Sequence, residues 1–322
     1  MSALHEAALV AARDCLGVQK NESVLIVTDI KRRSIGMALF EVCQDIAKEV
    51  LLMEMTPRRV NGEEPPPAIT EAMKAVDVSI CPTSTSLTHT NARRTACAAG
   101  GRVGTMPGIT EDILIRTMKA DYKSVAKRTY KVAELLTNGK MAHVTTPAGT
   151  DIYLPIAGIN GIPSTGMVLD SGKFGNLPSG EAYLMPRENE AEGVYVVDGS
   201  LAGIGMITGE PVRITIEKGM AVKIEGGEQA REFAKTVESV GPKARNLAEL
   251  GVGTNDSAQI NGTILEDEKV LGTVHLALGN NMSMGGTCDV GFHVDGILLN
   301  PTLTIDDVVI LKDGKMVIDL DA

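Results

Sequence analysis

The first 120 or so residues alternate between two hydrophobic rhythms. Leu4, Ala8, Val10, Ala11, Cys15 and Leu16 recur at helical spacing and predict a helix over Leu4–Leu16. Ser23–Asp29 follows as an unbroken apolar run, the pattern of a strand buried on both faces of a parallel sheet. The succession then repeats, with a helix over Ile35–Val50, a strand over Val50–Met55, a polar Pro-rich loop over Arg58–Pro67, a helix over Pro67–Ala75 and a strand over Asp77–Pro82. A helix over Thr90–Ala99, a strand over Gly101–Met106 and a helical stretch from Glu111 to Met118 complete it. Repeated strand–helix alternation of this kind predicts a doubly wound, mostly parallel α/β domain of Rossmann-like type. Ala120–Asn138, rich in Lys and Ala, reads as a longer connecting helix.

Past Asn138-Gly139 the rhythm changes. Ala142–Ile156 alternates around the turn-rich Pro147-Ala148-Gly149-Thr150-Asp151 and predicts a β-hairpin. Short alternating runs follow at Glu181–Met185, Gly193–Val197, Val212–Ile216 and Ala221–Ile224. Glu228–Val240 has clear helical periodicity, and Ala244–Glu249 reads as a helical turn. Strands are expected again at His293–Leu299, Val308–Leu311 and Met316–Ile318. Two domains are therefore expected: an α/β domain over 1–138 and an α+β domain with antiparallel strands over 139–322.

Composition narrows the function. The chain has 322 residues, 43% hydrophobic and 22% charged, and a formal charge of −10. That balance disfavours nucleic-acid binding. No apolar run approaches membrane-spanning length. Glu6, Arg13 and Asp14 interrupt the first apolar stretch, so no signal peptide and no membrane association are expected, and a cytoplasmic location is. The cysteines, Cys15, Cys43, Cys81, Cys97 and Cys288, are odd in number and widely spaced, so they read as small buried residues rather than disulfides or a zinc ribbon. No G-x-G-x-x-G opens the first helix and no P-loop occurs, which disfavours a nucleotide cofactor. His89, Arg93 and Arg94 follow the third strand as either an anion site or a solvated helix start.

The candidate chemistry lies in the second half. His293 and Asp295 sit two apart on a predicted strand and so share a face, as two ligands of one metal ion must. Upstream stands His275, in Gly272-Thr273-Val274-His275-Leu276-Ala277-Leu278-Gly279. Two glutamates, Glu181 in Pro178-Ser179-Gly180-Glu181 and Glu249 in Asn246-Leu247-Ala248-Glu249-Leu250-Gly251-Val252-Gly253, have small or apolar neighbours. Burying a carboxylate is costly without a counter-charge, which a dication supplies. Two histidines with carboxylates form a ligand set for Zn, Mn, Co or Fe(II).

These four blocks, in their chain order over residues 177–296, resemble the aminopeptidase T family of di-metal, thermophile-type leucyl aminopeptidases. The resemblance implies an α/β N-terminal domain, a metal-bearing C-terminal domain, a homodimer and a small peptide substrate. It also implies two Zn, Co or Mn ions on Glu181, Glu249, His275, His293 and Asp295, with Glu181 serving additionally as catalytic general base. Where the peptidases carry a tyrosine seven residues after the first histidine, this chain has Met282. That departure opens a second expectation. The enzyme 2,5-dihydroxypyridine 5,6-dioxygenase is similar to the same family, and His275, His293 and Asp295 would make the two-His-one-carboxylate triad of a non-haem Fe(II) ring-cleaving oxygenase. A non-catalytic metal-binding protein is the third.

Overall fold

The computed structural model of the chain describes residues 1–320. Its strands, in chain order, are β1 (Ser23–Asp29), β2 (Glu49–Met55), β3 (Val78–Thr83), β4 (Arg102–Pro107), β5 (Met141–Thr145), β6 (Asp151–Pro155), β7 (Ile162–Ser164), β8 (Phe174–Asn176), β9 (Glu181–Leu184) and β10 (Glu192–Val197). They continue with β11 (Ser200–Leu201), β12 (Gly205–Met206), β13 (Val212–Glu217), β14 (Met220–Glu225), β15 (Leu247–Gly253), β16 (Val274–Gly279), β17 (His293–Leu298), β18 (Thr302–Ile305), β19 (Val308–Lys312) and β20 (Lys315–Met316). The α-helices are α1 (Ala3–Leu9), α2 (Arg33–Gln44), α3 (Pro67–Lys74), α4 (Asn91–Ala98), α5 (Glu111–Thr117), α6 (Tyr122–Asn138), α7 (Glu228–Val240) and α8 (Ile264–Asp267). None of these is long and apolar enough to cross a membrane among the described residues.

The chain divides into two units, Met1–Ala126 with Ser164–Ser179, and Lys127–Pro163 with Gly180–Ala322. In the first, a five-stranded parallel sheet runs β2-β1-β3-β4-β8. Val24, Leu25, Ile26 and Val27 are completely buried, as a continuous apolar run between two helical layers requires. The single cut expected near Asn138 is replaced by this division, which falls inside α6 and returns residues 164–179 to the first unit. The reason is β8, whose residues 174–176 pair with Val103, Gly104 and Thr105 of β4 and extend the parallel sheet from a distant stretch of chain. The helix expected over Ile35–Val50 ends at Gln44, because Glu49 and Val50 pair with Ser23 and Val24. The first helix changes at Val10 from α1 to a π-helical stretch, Val10–Cys15.

The second unit holds two sheets, one of order β14-β13-β10-β6-β5-β18-β19-β20 and one of order β12-β11-β17-β16-β15-β9-β7. The predicted hairpin is β5–β6, paired from Met141–Pro155 to Thr145–Asp151. Ala142, Val144, Ile152 and Leu154 from the first sheet join Leu250, Val252, Val274, Leu276, Leu278 and Leu298 from the second in one buried cluster. Each fully buried Leu or Val contributes about 1.5–3 kcal/mol, so this face anchors β9, β15, β16 and β17 and leaves their other face for chemistry. All five cysteines are free; four are buried and Cys97 is half-buried.

Candidate metal centre

Strands β9, β15, β16 and β17 lie side by side, and their antiparallel register sorts the side chains. Leu250 pairs with Leu184 and Leu276, Val252 with Ala182 and Val274, and Val274 with Leu298; these face the core. On the opposite face Gly253 pairs with Glu181, Gly251 with Tyr183 and His275, Ala277 with Glu249 and Asp295, and Gly279 with His293. Paired residues of antiparallel strands share a face, and alternation repeats it every second residue. The sequences Glu249-Leu250-Gly251-Val252-Gly253 and His275-Leu276-Ala277-Leu278-Gly279 therefore supply the core with one set of positions and the site with the other. Glu249 belongs to a strand, not to the helical turn expected over Ala244–Glu249; the 3₁₀ turn is confined to Pro242–Arg245. A bulge between Leu247 and Glu249 shifts the register beside it, a feature that re-aims side chains next to functional sites.

All five predicted side chains come together. His275 Nε2 lies 3.4 Å from Glu249 Oε1 and 3.5 Å from Glu181 Oε2. His293 Nε2 lies 3.3 Å from Glu249 Oε2 and 3.5 Å from Asp295 Oδ1. Glu249 thus spans both imidazoles with its two oxygens. The donor atoms fall into two groups, Glu181–Glu268–His275 and Glu249–His293–Asp295, each with its atoms within 4.8 Å of one another. The His293 side chain is one-third exposed whereas His275 is fully buried, so the second group is the one open to solvent. The His293 Nδ1–H donates to the Asn280 carbonyl at 2.8 Å, which leaves the Nε2 lone pair, among the oxygens of Glu249 and Asp295, available to a cation. Asn280 begins the loop between the histidines, which Glu188 braces through the Asn281 amide and the Thr287 N–H and hydroxyl.

Three participants had no mark in the sequence reading. Glu268 and Lys269 close the charged run Glu266-Asp267-Glu268-Lys269, which reads as solvated surface, yet Glu266, Asp267 and Lys269 are buried. Glu266 and Asp267 accept backbone N–H groups of Gln259, Asn261 and Gly262 and so fold the preceding loop over α8. Lys269 Nζ reaches Glu181 Oε1 at 2.7 Å and also bonds Glu268. The third is Tyr183, two residues beyond Glu181 on the same face of β9; that spacing was the available signal. Met282 lies on a short 3₁₀ turn, half exposed. Arg93 stacks on Phe174 and bonds the Thr88 carbonyl, and Arg94 bonds Asn91.

The electrostatics are those of a cation site. Burial disfavours the charged form of His275, but its hydrogen bond to Glu249 and the negative charge of Glu181 outweigh this and push it up to about 9. Burial likewise opposes ionisation of Asp295, yet His293 beside it holds the carboxyl down at about 2. Glu268 is raised by burial, against the pull of Lys269. Burial, then Glu181 and Glu249, push the Tyr183 phenol well up, so it remains a hydrogen-bond donor. Of the four acidic side chains, Glu181 and Glu268 pair with Lys269, whereas Glu249 and Asp295 face only the histidines. Glu181 Oε2 is buried without a hydrogen-bond partner. Such a surplus of enclosed oxygen donors beside imidazole nitrogens fits a divalent transition metal.

The whole fold has known counterparts. Residues 11–318 match the family described as 2,5-dihydroxypyridine 5,6-dioxygenase (NicX). The chain belongs to that family. Within it, the 2,5-dihydroxypyridine 5,6-dioxygenase of Pseudomonas putida KT2440 is 26% identical over 206 residues, 59% of this chain; the match spans 58% of that relative's length. The solved structure of 2,5-dihydroxypyridine dioxygenase from P. putida KT2440 superposes with a TM-score of 0.84 at 20% identity, covering 98% of each chain. Wild-type AmpT from Thermus thermophilus superposes with a TM-score of 0.72 at 16% identity, covering 98% of this chain and 99% of its own. The dioxygenase family and the aminopeptidase T protein thus share this fold, and it is the former to which the sequence itself belongs.

Proposed function

We propose that the protein is a non-haem Fe(II) dioxygenase that opens the ring of a small hydroxylated pyridine. The observation that carries the reading is the convergence of His275, His293 and Asp295 on one face of the paired strands β16 and β17, in a chain of the dioxygenase family. In this reading His275 Nε2, His293 Nε2 and an Asp295 oxygen would hold the metal, which would bring ring and dioxygen together and pass electrons from the ring to dioxygen. The Asn280 carbonyl keeps the His293 proton on Nδ1. Glu249, between the two imidazoles, is placed to take the proton of a substrate hydroxyl, and the Tyr183 phenol to donate to a substrate oxygen. Both atoms of dioxygen end on the two carbons of the broken ring bond.

The second reading is a two-metal aminopeptidase, favoured by the division of the donors into two groups. Reconstitution decides between them. Protein loaded anaerobically with Fe(II) is expected to consume dioxygen in step with loss of the pyridine absorbance, and His293→Ala to lose both metal and turnover. No dioxygen uptake with Fe(II), together with release of leucine from a leucyl peptide by the Zn- or Co-loaded protein, would sink the dioxygenase reading.

A further inference from the structure

Lys269 explains why a site with two donor groups would serve a one-metal reaction. Its side chain is 1% exposed, and its ammonium sits between Glu181 and Glu268, 2.7 Å from Glu181 Oε1 and hydrogen-bonded to Glu268 Oε1. Those two carboxylates are two of the three donors of the Glu181–Glu268–His275 group. The other group, Glu249–His293–Asp295, has no lysine or arginine ion pair among the described residues; its partners are the histidines. One group is therefore already neutralised by the chain and the other is not.

We propose that Lys269 is a built-in counter-cation that occupies the place of a second metal ion and makes the centre mononuclear. An ammonium is a compact point charge with three donors, able to satisfy two carboxylates at once. A dication and the Nζ group cannot share the same oxygens, because each needs them along its own short axis and the two positive charges repel. With Glu181 Oε1 and Glu268 Oε1 committed to Lys269, His275 Nε2 and the unpartnered Glu181 Oε2 are left free to turn toward a metal on His293 and Asp295, and Glu249 Oε1 already lies 3.4 Å from His275 Nε2. The inference rests on the dioxygenase reading for the position of the one remaining ion. It adds that metal number is set by a residue that does not touch the metal.

The test uses Mn(II) as probe, with metal content after desalting and the electron paramagnetic resonance spectrum as readouts. Wild type is expected to hold about one ion per chain with an uncoupled spectrum, and Lys269→Met about two with exchange coupling. Lys269→Arg keeps the charge and stays at one. Glu268→Gln, which removes a carboxylate that serves the lysine and not the metal, also stays at one and guards against misfolding of Lys269→Met. Two equivalent ions in wild type, one ion in folded Lys269→Met, or loss of the ion in Glu268→Gln would each overturn the proposal. One ion per chain in a protein that shows no ring cleavage defeats the dioxygenase reading alone and leaves Lys269 in its role; no ion in any variant defeats both.

Discussion

Gly251 stands directly across from His275 in the β15–β16 register, and a Cβ on it would overlap the imidazole at Nε2 and Cε1. The distal edge of the ring occupies the space a side chain would take, and this is how a fully buried histidine brings Nε2 to Glu181 and Glu249. Gly251→Ala is expected to push the ring off that axis and weaken metal binding by about 10–100-fold, the range for disturbed ligand support. The far-ultraviolet spectrum should be unchanged, since the opposite face of the strand still packs. Mn(II) affinity measured by calorimetry checks this; an unchanged value would show that His275 is not a ligand.

Tyr183 faces the carboxylates from β9, and its raised pKa keeps it protonated. Tyr183→Phe removes one donor and is expected to lower kcat on the order of 10²-fold, as loss of a preorganised donor does. Metal content should stay at the wild-type value. Steady-state kinetics beside metal analysis separate this from a structural defect, which would lower both.

In the first unit, Arg102 and Glu22 form a largely buried pair at 2.7 Å, and Arg102 also donates to the carbonyls of Leu16 and Gly17. Arg102→Met leaves Glu22 without its partner and is expected to cost about 3 kcal/mol. A urea titration followed by circular dichroism measures it. Metal binding should be unchanged, since the candidate ligands all belong to the second unit.

Asp77 accepts the Ser23 backbone N–H and hydroxyl, both at 2.8 Å, and these bonds hold its pKa below the ordinary aspartate value. A depressed folded pKa contributes stability above the unfolded pKa of about 3.9, and that contribution is lost as pH falls through the lower folded value. Asp77→Asn is expected to flatten the acid limb of melting temperature against pH below about pH 4 while changing its slope little at neutral pH. An unaltered acid limb would show that the Ser23 bonds do not act on this carboxyl.

The sequence by itself determined the elements whose code is local. Val24–Val27 announce a doubly buried strand because every position is apolar, and Asp295 and His293 announce a shared face because a strand repeats every two residues. The alternation in residues 274–279 carries both jobs at once, core at Val274, Leu276 and Leu278, site at His275, Ala277 and Gly279. Other features depend on partners far along the chain. Glu249 resembled a helix end until pairing with β9 and β16 made it a strand residue. The run Glu266–Lys269 has the composition of solvent-facing surface, and only the loop folded over it and the carboxylate of Glu181, more than eighty residues upstream, bury it. Residues 174–176 are too short to show a period and gain their strand from β4. Periodicity records which face a residue turns. The meeting of faces from distant strands, and with it the pairing of Lys269 to Glu181, is decided by tertiary packing, because buried charge settles where its counter-charges stand.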